Sequence, residues 1–263
     1  MQTLRYTDMA DELFGQAEQP PAGVRLVRAR TGSVTVTRVQ IRRAGLARPQ
    51  GRYVTLEVPS VSLLDERDET VIEAAAAELR TLLPAKGPVL AVGVGNRRVT
   101  ADALGPRTAQ KILVTRGAAD GLPLPGLREV AVIAPGASAA TGVPLQQLLA
   151  GLVRELRPAA VLCIDSLCSA QPERLGRTLQ FSDTGLCPCE PASPRSLTPA
   201  ALGIPVVAAG IPILAESGES GTLVLVPRAL DAVIAHGAAL LGAAINRALQ
   251  PGFTLAQLCY LAS

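Results

Sequence analysis

At 263 residues, with 48% hydrophobic and 18% charged residues, the chain can bury a sizeable core and is not a disordered segment. Aromatic residues make up 2% and Trp is absent, so the core is aliphatic and no base-stacking surface for nucleic acid is expected. The net charge of +3 comes from scattered basic residues, which also argues against a nucleic-acid partner.

Residues 1–24 are polar and include Pro20, Pro21 and Gly23. They read as a mobile N-terminal arm or pro-segment, with residues 25–263 forming a single α/β domain. Acidic residues stand among the first fifteen where a secretory signal needs an apolar stretch, so no such signal is expected. No apolar run reaches the length of a membrane span, so a cytoplasmic protein without a membrane partner is expected. Gly32–Arg42 alternates, with Val34, Val36 and Ile41 among threonines and arginines, and fits a half-exposed strand. Ala44–Gly51 is a turn, and Arg52–Val58 is a second strand. Glu66–Leu83 carries Val71, Ile72, Ala75, Leu79, Leu82 and Leu83 at helical spacing before Pro84 ends it.

The stretch Pro88–Thr115 organises the rest. Val89–Val92 is a short buried strand, and Gly93 and Gly95 turn the chain. A polar loop carries Asp102, and Pro106 opens a helix that Ala109, Ile112, Leu113 and Val114 continue. Glu129–Ala134 is a strand and Leu145–Leu156 an amphipathic helix. Ala159–Ile164 is a buried strand that delivers Asp165 at its end. Arg177–Phe181 and Ile204–Ala209 are further strands, Arg228–Leu249 is a long aliphatic helix, and the tail from Thr254 is helical. Strands alternating with helices from residue 66 onward predict a mostly parallel sheet with helices on both faces. The N-terminal third adds a small antiparallel part.

Asp102 and Asp165 each follow a buried parallel strand, so both lie along one edge of the sheet, where such folds bind ligands. Two carboxylates that converge resist joint ionisation, and one can act as general base while the other acts as general acid. The same spacing also fits two helix-capping aspartates. Asp183 stands in a Ser-Asp-Thr-Gly turn whose short match to pepsin-like proteases is outweighed by their all-β fold. The Gly93–Asn96 turn lacks the lysine of a phosphate-binding loop. His236, the single histidine, sits mid-helix as a packing residue, which leaves no Ser–His or Cys–His apparatus. The five cysteines form no disulfide framework, and Cys187-Pro-Cys189 alone does not make a zinc site.

These residues carry a resemblance. GRYVTLE (51–57), VGVGN (92–96), TADALGP (100–106), LVTR (113–116), IDSL (164–167), QFSDTG (180–185) and LGIPVVAAGIP (202–212) occur in the order of the germination proteases of spore-forming bacteria. RYTDMADE (5–12) is similar to that family's pro-segment. The resemblance implies an atypical aspartic endopeptidase, related in fold to the hydrogenase-maturation proteases, with Asp102 and Asp165 catalytic. It implies small acid-soluble spore proteins as substrates in the spore core. It also implies a homotetrameric, inactive precursor that removes its own N-terminal segment. Thr7-Asp8-Met9-Ala10 has the order of the family's cleavage sites, which places self-cleavage between Asp8 and Met9. Gly93, Gly95, Asn96 and Asp183 are expected to position substrate, and no metal or other cofactor is expected. Two other readings remain: a metal-dependent peptidase of the hydrogenase-maturation kind, and a catalytically silent anion-binding α/β protein.

Overall fold

The computed structural model describes residues 7–15, 19–65, 68–117, 126–136, 141–186, 196–217 and 223–262. Cys187, Cys189 and the prolines between residues 187 and 195 lie outside them.

The strands are β1 (Val24–Thr31), β2 (Val34–Ile41), β3 (Gly51–Glu57), β4 (Val89–Gly93), β5 (Val130–Ile133), β6 (Ala160–Cys168), β7 (Thr178–Ser182), β8 (Val206–Ser217) and β9 (Leu223–Leu225). They form a sheet in the order β1-β2-β3-β7-β8-β6-β4-β5, with β9 paired to β8. The run β8-β6-β4-β5 is parallel. The run β1-β2-β3-β7-β8 is antiparallel. The parallel α/β half is thus as expected, and the antiparallel addition gains β7. That strand follows β6 after a connection too short for a parallel crossover, so it pairs antiparallel.

The helices are α1 (Ala10–Phe14), α2 (Glu69–Leu82), α3 (Leu104–Ala109), α4 (Leu145–Leu156), α5 (Pro199–Leu202), α6 (Leu230–Leu249) and α7 (Leu255–Leu261). Asp68 starts α2 by accepting the Val71 N–H at 3.1 Å, and Thr254 with Gln257 forms a capping box on α7. One face of the sheet, including Leu56, Leu162, Ile164, Leu179, Phe181, Ala209 and Ile211, shares a buried core with Ile72 and Leu79 of α2 and Ile234 and Leu241 of α6. Alternate residues point to the other face. There Leu90, Val92, Val161 and Cys163 pack with Leu149 of α4. Val39, Ile41 and Tyr53 pack with Ala10 and Phe14 of α1. Helices therefore cover both faces.

Three expectations need correction. The helix after Asp102 starts at Leu104 rather than Pro106 and stops at Ala109. Beyond it the chain is held elsewhere: Asn246 of α6 accepts the Leu113 N–H at 2.8 Å, and the Thr115 N–H reaches Val130 O at 3.0 Å. Second, α6 is long and apolar enough to cross a membrane, contrary to the reading that no segment is. Most of it is buried in this fold, where it serves as a core helix. Third, the N-terminal arm is packed over residues 7–14. Met9 and Ala10 are fully buried and Phe14 nearly so. Burying one such large apolar side chain contributes roughly 1.5–3 kcal/mol, enough to override a polar composition.

Candidate active site

Asp165 does not end its strand. β6 runs on to Cys168 because β8 continues to pair with it through Leu214. β4, on the other side, stops at Gly93, level with Ile164. Asp165 is therefore the first residue of β6 to lie past the end of β4, and the gap opens beside it. The chain leaving β4 crosses this gap and returns as a short 3-10 turn at Thr100–Asp102.

Glycines fix that crossing. Gly95 has φ +117°, and a Cβ there would lie 2.2 Å from Asp102 O. Gly105 sits where a Cβ would lie 2.2 Å from Val94 O and 2.3 Å from Ile164 O. The start of α3 thus presses directly on the backbones leaving β4 and within β6. Gly93 in turn faces Gly105, where a Cβ would lie 2.4 Å from its carbonyl oxygen. Asn96 donates its N–H to Asp102 Oδ2 at 2.7 Å, and its own Oδ1 accepts the Arg98 N–H at 3.0 Å. Gly93, Gly95 and Asn96, expected to position substrate, here make contacts that hold Asp102 and its loop.

The charge of Asp102 is felt at Asp165. Burial raises Asp102 above the usual carboxylate range, and the Asn96 N–H works against it. Burial raises Asp165 much further, the charge of Asp102 adds to this, the Ser166 N–H at 2.7 Å opposes it, and Asp8 adds a smaller push. The pair is therefore pushed apart, with Asp165 the stronger proton holder and Asp102 the better base. Cys163, two residues before Asp165, is fully buried, and its thiol is pushed far up by burial and then by Asp165. It stays neutral and is no nucleophile.

Asp8 arrives from the N-terminal segment. Its N–H donates to Cys168 O at 2.9 Å, and its Oδ2 accepts the Cys168 N–H at 2.7 Å. Arg48 binds both the Thr7 carbonyl and Asp8 Oδ1, the latter at 3.3 Å. Gln180 donates its side-chain amide to the carbonyl oxygen of Asp8. Farther along, Arg174 donates to Asp11 Oδ2 at 2.7 Å and to Glu12 Oε1 at 3.4 Å, and the Ala170 N–H reaches Glu12 Oε2 at 2.8 Å. The Asp8–Met9 peptide bond is thus clamped from both sides, against Cys168 of the strand that carries Asp165.

Asp183 lies apart from the pair's contacts. Its carboxylate accepts the backbone N–H and the Nε of Arg52, each at 2.7 Å, and ties the turn after β7 to β3. His236 belongs to α6, on the opposite face of the sheet. Among the described residues, no group of three His, Cys, Asp or Glu side chains is arranged to hold a metal ion. Sequence reading missed Arg48, Thr55 and Gln180. The one available signal was a glutamine between Leu179 and Phe181 of a buried strand, where a polar side chain needs a partner.

The germination protease family model matches residues 6–236. A germination protease from Caldanaerobacter subterraneus subsp. tengcongensis is 31% identical, over 93% of this chain and 93% of its own length. The one from Clostridium tetani is 33% identical over 80% of this chain and 70% of its own. The one from Bacillus velezensis is 36% identical over 71% of this chain and 54% of its own. Among solved structures, the NiFe hydrogenase maturation protease HycI from Thermococcus kodakarensis KOD1 matches with a TM-score of 0.42 and 19% identity, over 65% of this chain and 98% of that one.

Proposed function

The chain belongs to the germination protease family and is thus a protease. From that premise we propose an endopeptidase of aspartic type that degrades small acid-soluble spore proteins in the spore core and is made as a self-processing, tetrameric zymogen. The single observation that carries the aspartic reading is the placement of both carboxyls at the end of β4: Asp165 is the first residue of β6 past that end, and the loop bearing Asp102 is pressed onto it through Gly95 and Gly105. In this reading a water rests on Asp102, whose Oδ2 is already committed to the Asn96 N–H. Asp102 takes a proton as the water oxygen adds to the scissile carbonyl carbon. Asp165 delivers its proton to the departing amine nitrogen as the C–N bond breaks. The test is digestion of purified small acid-soluble spore proteins. The wild type is expected to cleave them and Asp102→Asn to lose activity by about 10²–10⁴-fold, the range a positioned acid or base contributes. Undiminished cleavage by Asp102→Asn refutes the assignment.

The self-processing arm of the reading rests on how the segment is held. Arg48 and the Cys168 N–H bind the Asp8 carboxylate, and Arg174 anchors α1 just after the bond. Cleavage between Asp8 and Met9 releases residues 1–8 and leaves α1 docked. Incubating the full chain over a range of pH and reading its mass is expected to give a new N-terminus at Met9. Asp102→Asn should stay full length. Arg48→Ala, which loses the acid's charge partner, should process about tenfold or more slowly, since hydrogen bonds to charged groups contribute about 1.5–3 kcal/mol. A cut at any other bond in the wild type would refute the assignment of this site.

With no His, Cys, Asp or Glu trio among the described residues, cleavage is expected to persist after dialysis against EDTA. Loss of activity restored by one divalent ion would move the protein to the metal-dependent reading.

A further inference from the structure

Directly paired residues of neighbouring strands point to the same face of a sheet. Asp165 of β6 pairs with Gly210 of β8, Gly210 with Gln180 of β7, and Gln180 with Thr55 of β3. One row therefore runs Asp165, Gly210, Gln180, Thr55. Asp165 and Gln180 stand two strands apart, about 10 Å between backbones, and the intervening glycine leaves room that the Leu167 side chain occupies, its Cγ 2.7 Å from where a Cβ would lie. A Cβ at Gly210 would lie 2.3 Å from Asp165 O, so the row is built around that glycine.

The Gln180 side chain is buried at 5% exposure and cannot turn. The Thr55 hydroxyl, with one proton to donate, lies within hydrogen-bond reach of both Gln180 Oε1 at 3.2 Å and Asp11 Oδ1 at 2.9 Å. The other end meets the carbonyl oxygen of Asp8, which can only accept, so the amide nitrogen must face it. That oxygen belongs to the Asp8–Met9 bond.

We infer that Gln180 is a catalytic residue: its amide N–H polarises the scissile carbonyl and holds the oxygen that becomes anionic as water adds. This rests on the proposed cleavage at Asp8–Met9. The water oxygen bonds to the Asp8 carbonyl carbon and the C=O π electrons move onto the oxygen facing Gln180. They return as the C–N bond breaks and the Met9 nitrogen takes a proton. A donor fixed before the reaction needs no rearrangement when charge develops, and loss of one such donor lowers turnover by about 10²–10³-fold. Thr55 and Asp11 are positioning residues that act through Gln180.

The experiment follows the first-order appearance of the Met9 N-terminus in the full chain, alongside the melting temperature. Gln180→Met keeps length and volume and removes the donor. It is expected to melt within a few degrees of wild type and to process at least about 100-fold more slowly. Gln180→Glu presents an acceptor when ionised and an O–H donor when protonated. Its rate relative to wild type is expected to recover as pH falls through the carboxyl range, a signature that a packing role does not produce. Wild-type processing by a folded Gln180→Met overturns the inference. Should that variant fail to fold, a Gln180→Glu pH profile superimposable on wild type overturns it instead. A wild-type chain that never yields Met9 overturns the reading beneath it.

Discussion

Asp165→Asn is expected to abolish proteolysis and stabilise the fold at neutral pH. The loss follows from removing the proton that Asp165 gives to the leaving amine, about 10²–10⁴-fold. The gain follows from linkage. The folded-state carboxyl of Asp165 is raised above its unfolded value, mainly by burial and then by Asp102. The native state therefore holds the proton at pH values where the unfolded chain has lost it. The native form suffers no penalty below about pH 4, the unfolded carboxyl's range. Stability then falls as pH rises through the raised folded value, because the unfolded state binds fewer protons there. Asparagine carries no titrating proton and removes that decline. Melting curves from pH 4 to 8 are the check. The difference between Asp165→Asn and wild type should be small at the acid end and grow with pH. A wild type whose stability rises over the same window relative to the variant would show that Asp165 is ionised in the fold and cannot serve as the acid.

Gly105→Ala is expected to cost about 3 kcal/mol or more and to silence the site. Overpacking a rigid interior typically costs 1–3 kcal/mol. Here the added methyl meets backbone alone: Val94 O at 2.2 Å, Ile164 O at 2.3 Å and Val94 N at 2.7 Å. No side chain can rotate away, so α3 must lift from β4 and β6. The loop carrying Asp102 is fastened through that contact, and its geometry goes with it. Gly151→Ala provides the opposite case. Gly151 lies inside α4 with nothing within 4 Å of its missing Cβ. There alanine should stabilise by roughly 0.5–1 kcal/mol, the intrinsic helix cost of glycine. Chemical denaturation of the two variants beside wild type decides the matter. A Gly105→Ala protein as stable and active as wild type would mean that α3 does not hold the Asp102 loop through this contact.

The packed N-terminal segment makes the two halves of the site interdependent. Arg174 is enclosed by Asp11, Glu12 and Glu57, and these carboxylates raise its already high proton affinity although burial opposes them. It is a fixed cation that anchors α1. The anchor in turn sets where Asp8 meets Gln180 and Cys168.

The α/β half of the fold and the placing of Asp102 and Asp165 along one sheet edge were legible in the residues alone. Val89–Val92 and Ala160–Ile164 are continuous apolar runs, which only a strand covered on both faces tolerates, and the glycines and aspartates that follow must then lie at one edge. Tertiary structure alone decided the rest. Residues 7–14 look polar and unanchored because their partners lie 40 to 172 positions away, in Arg48, Cys168, Arg174 and Gln180. No local pattern encodes such pairings. The length of β6 past Asp165 was equally hidden, because it depends on β8 pairing beyond the point where β4 stops. Gln180 acquires meaning only through register. A glutamine in a strand is a solitary polar residue until β3, β7, β8 and β6 align Thr55, Gln180, Gly210 and Asp165 in one row. That alignment is fixed by which faces are buried, since a slip of one residue would turn every side chain in the strand to the wrong side.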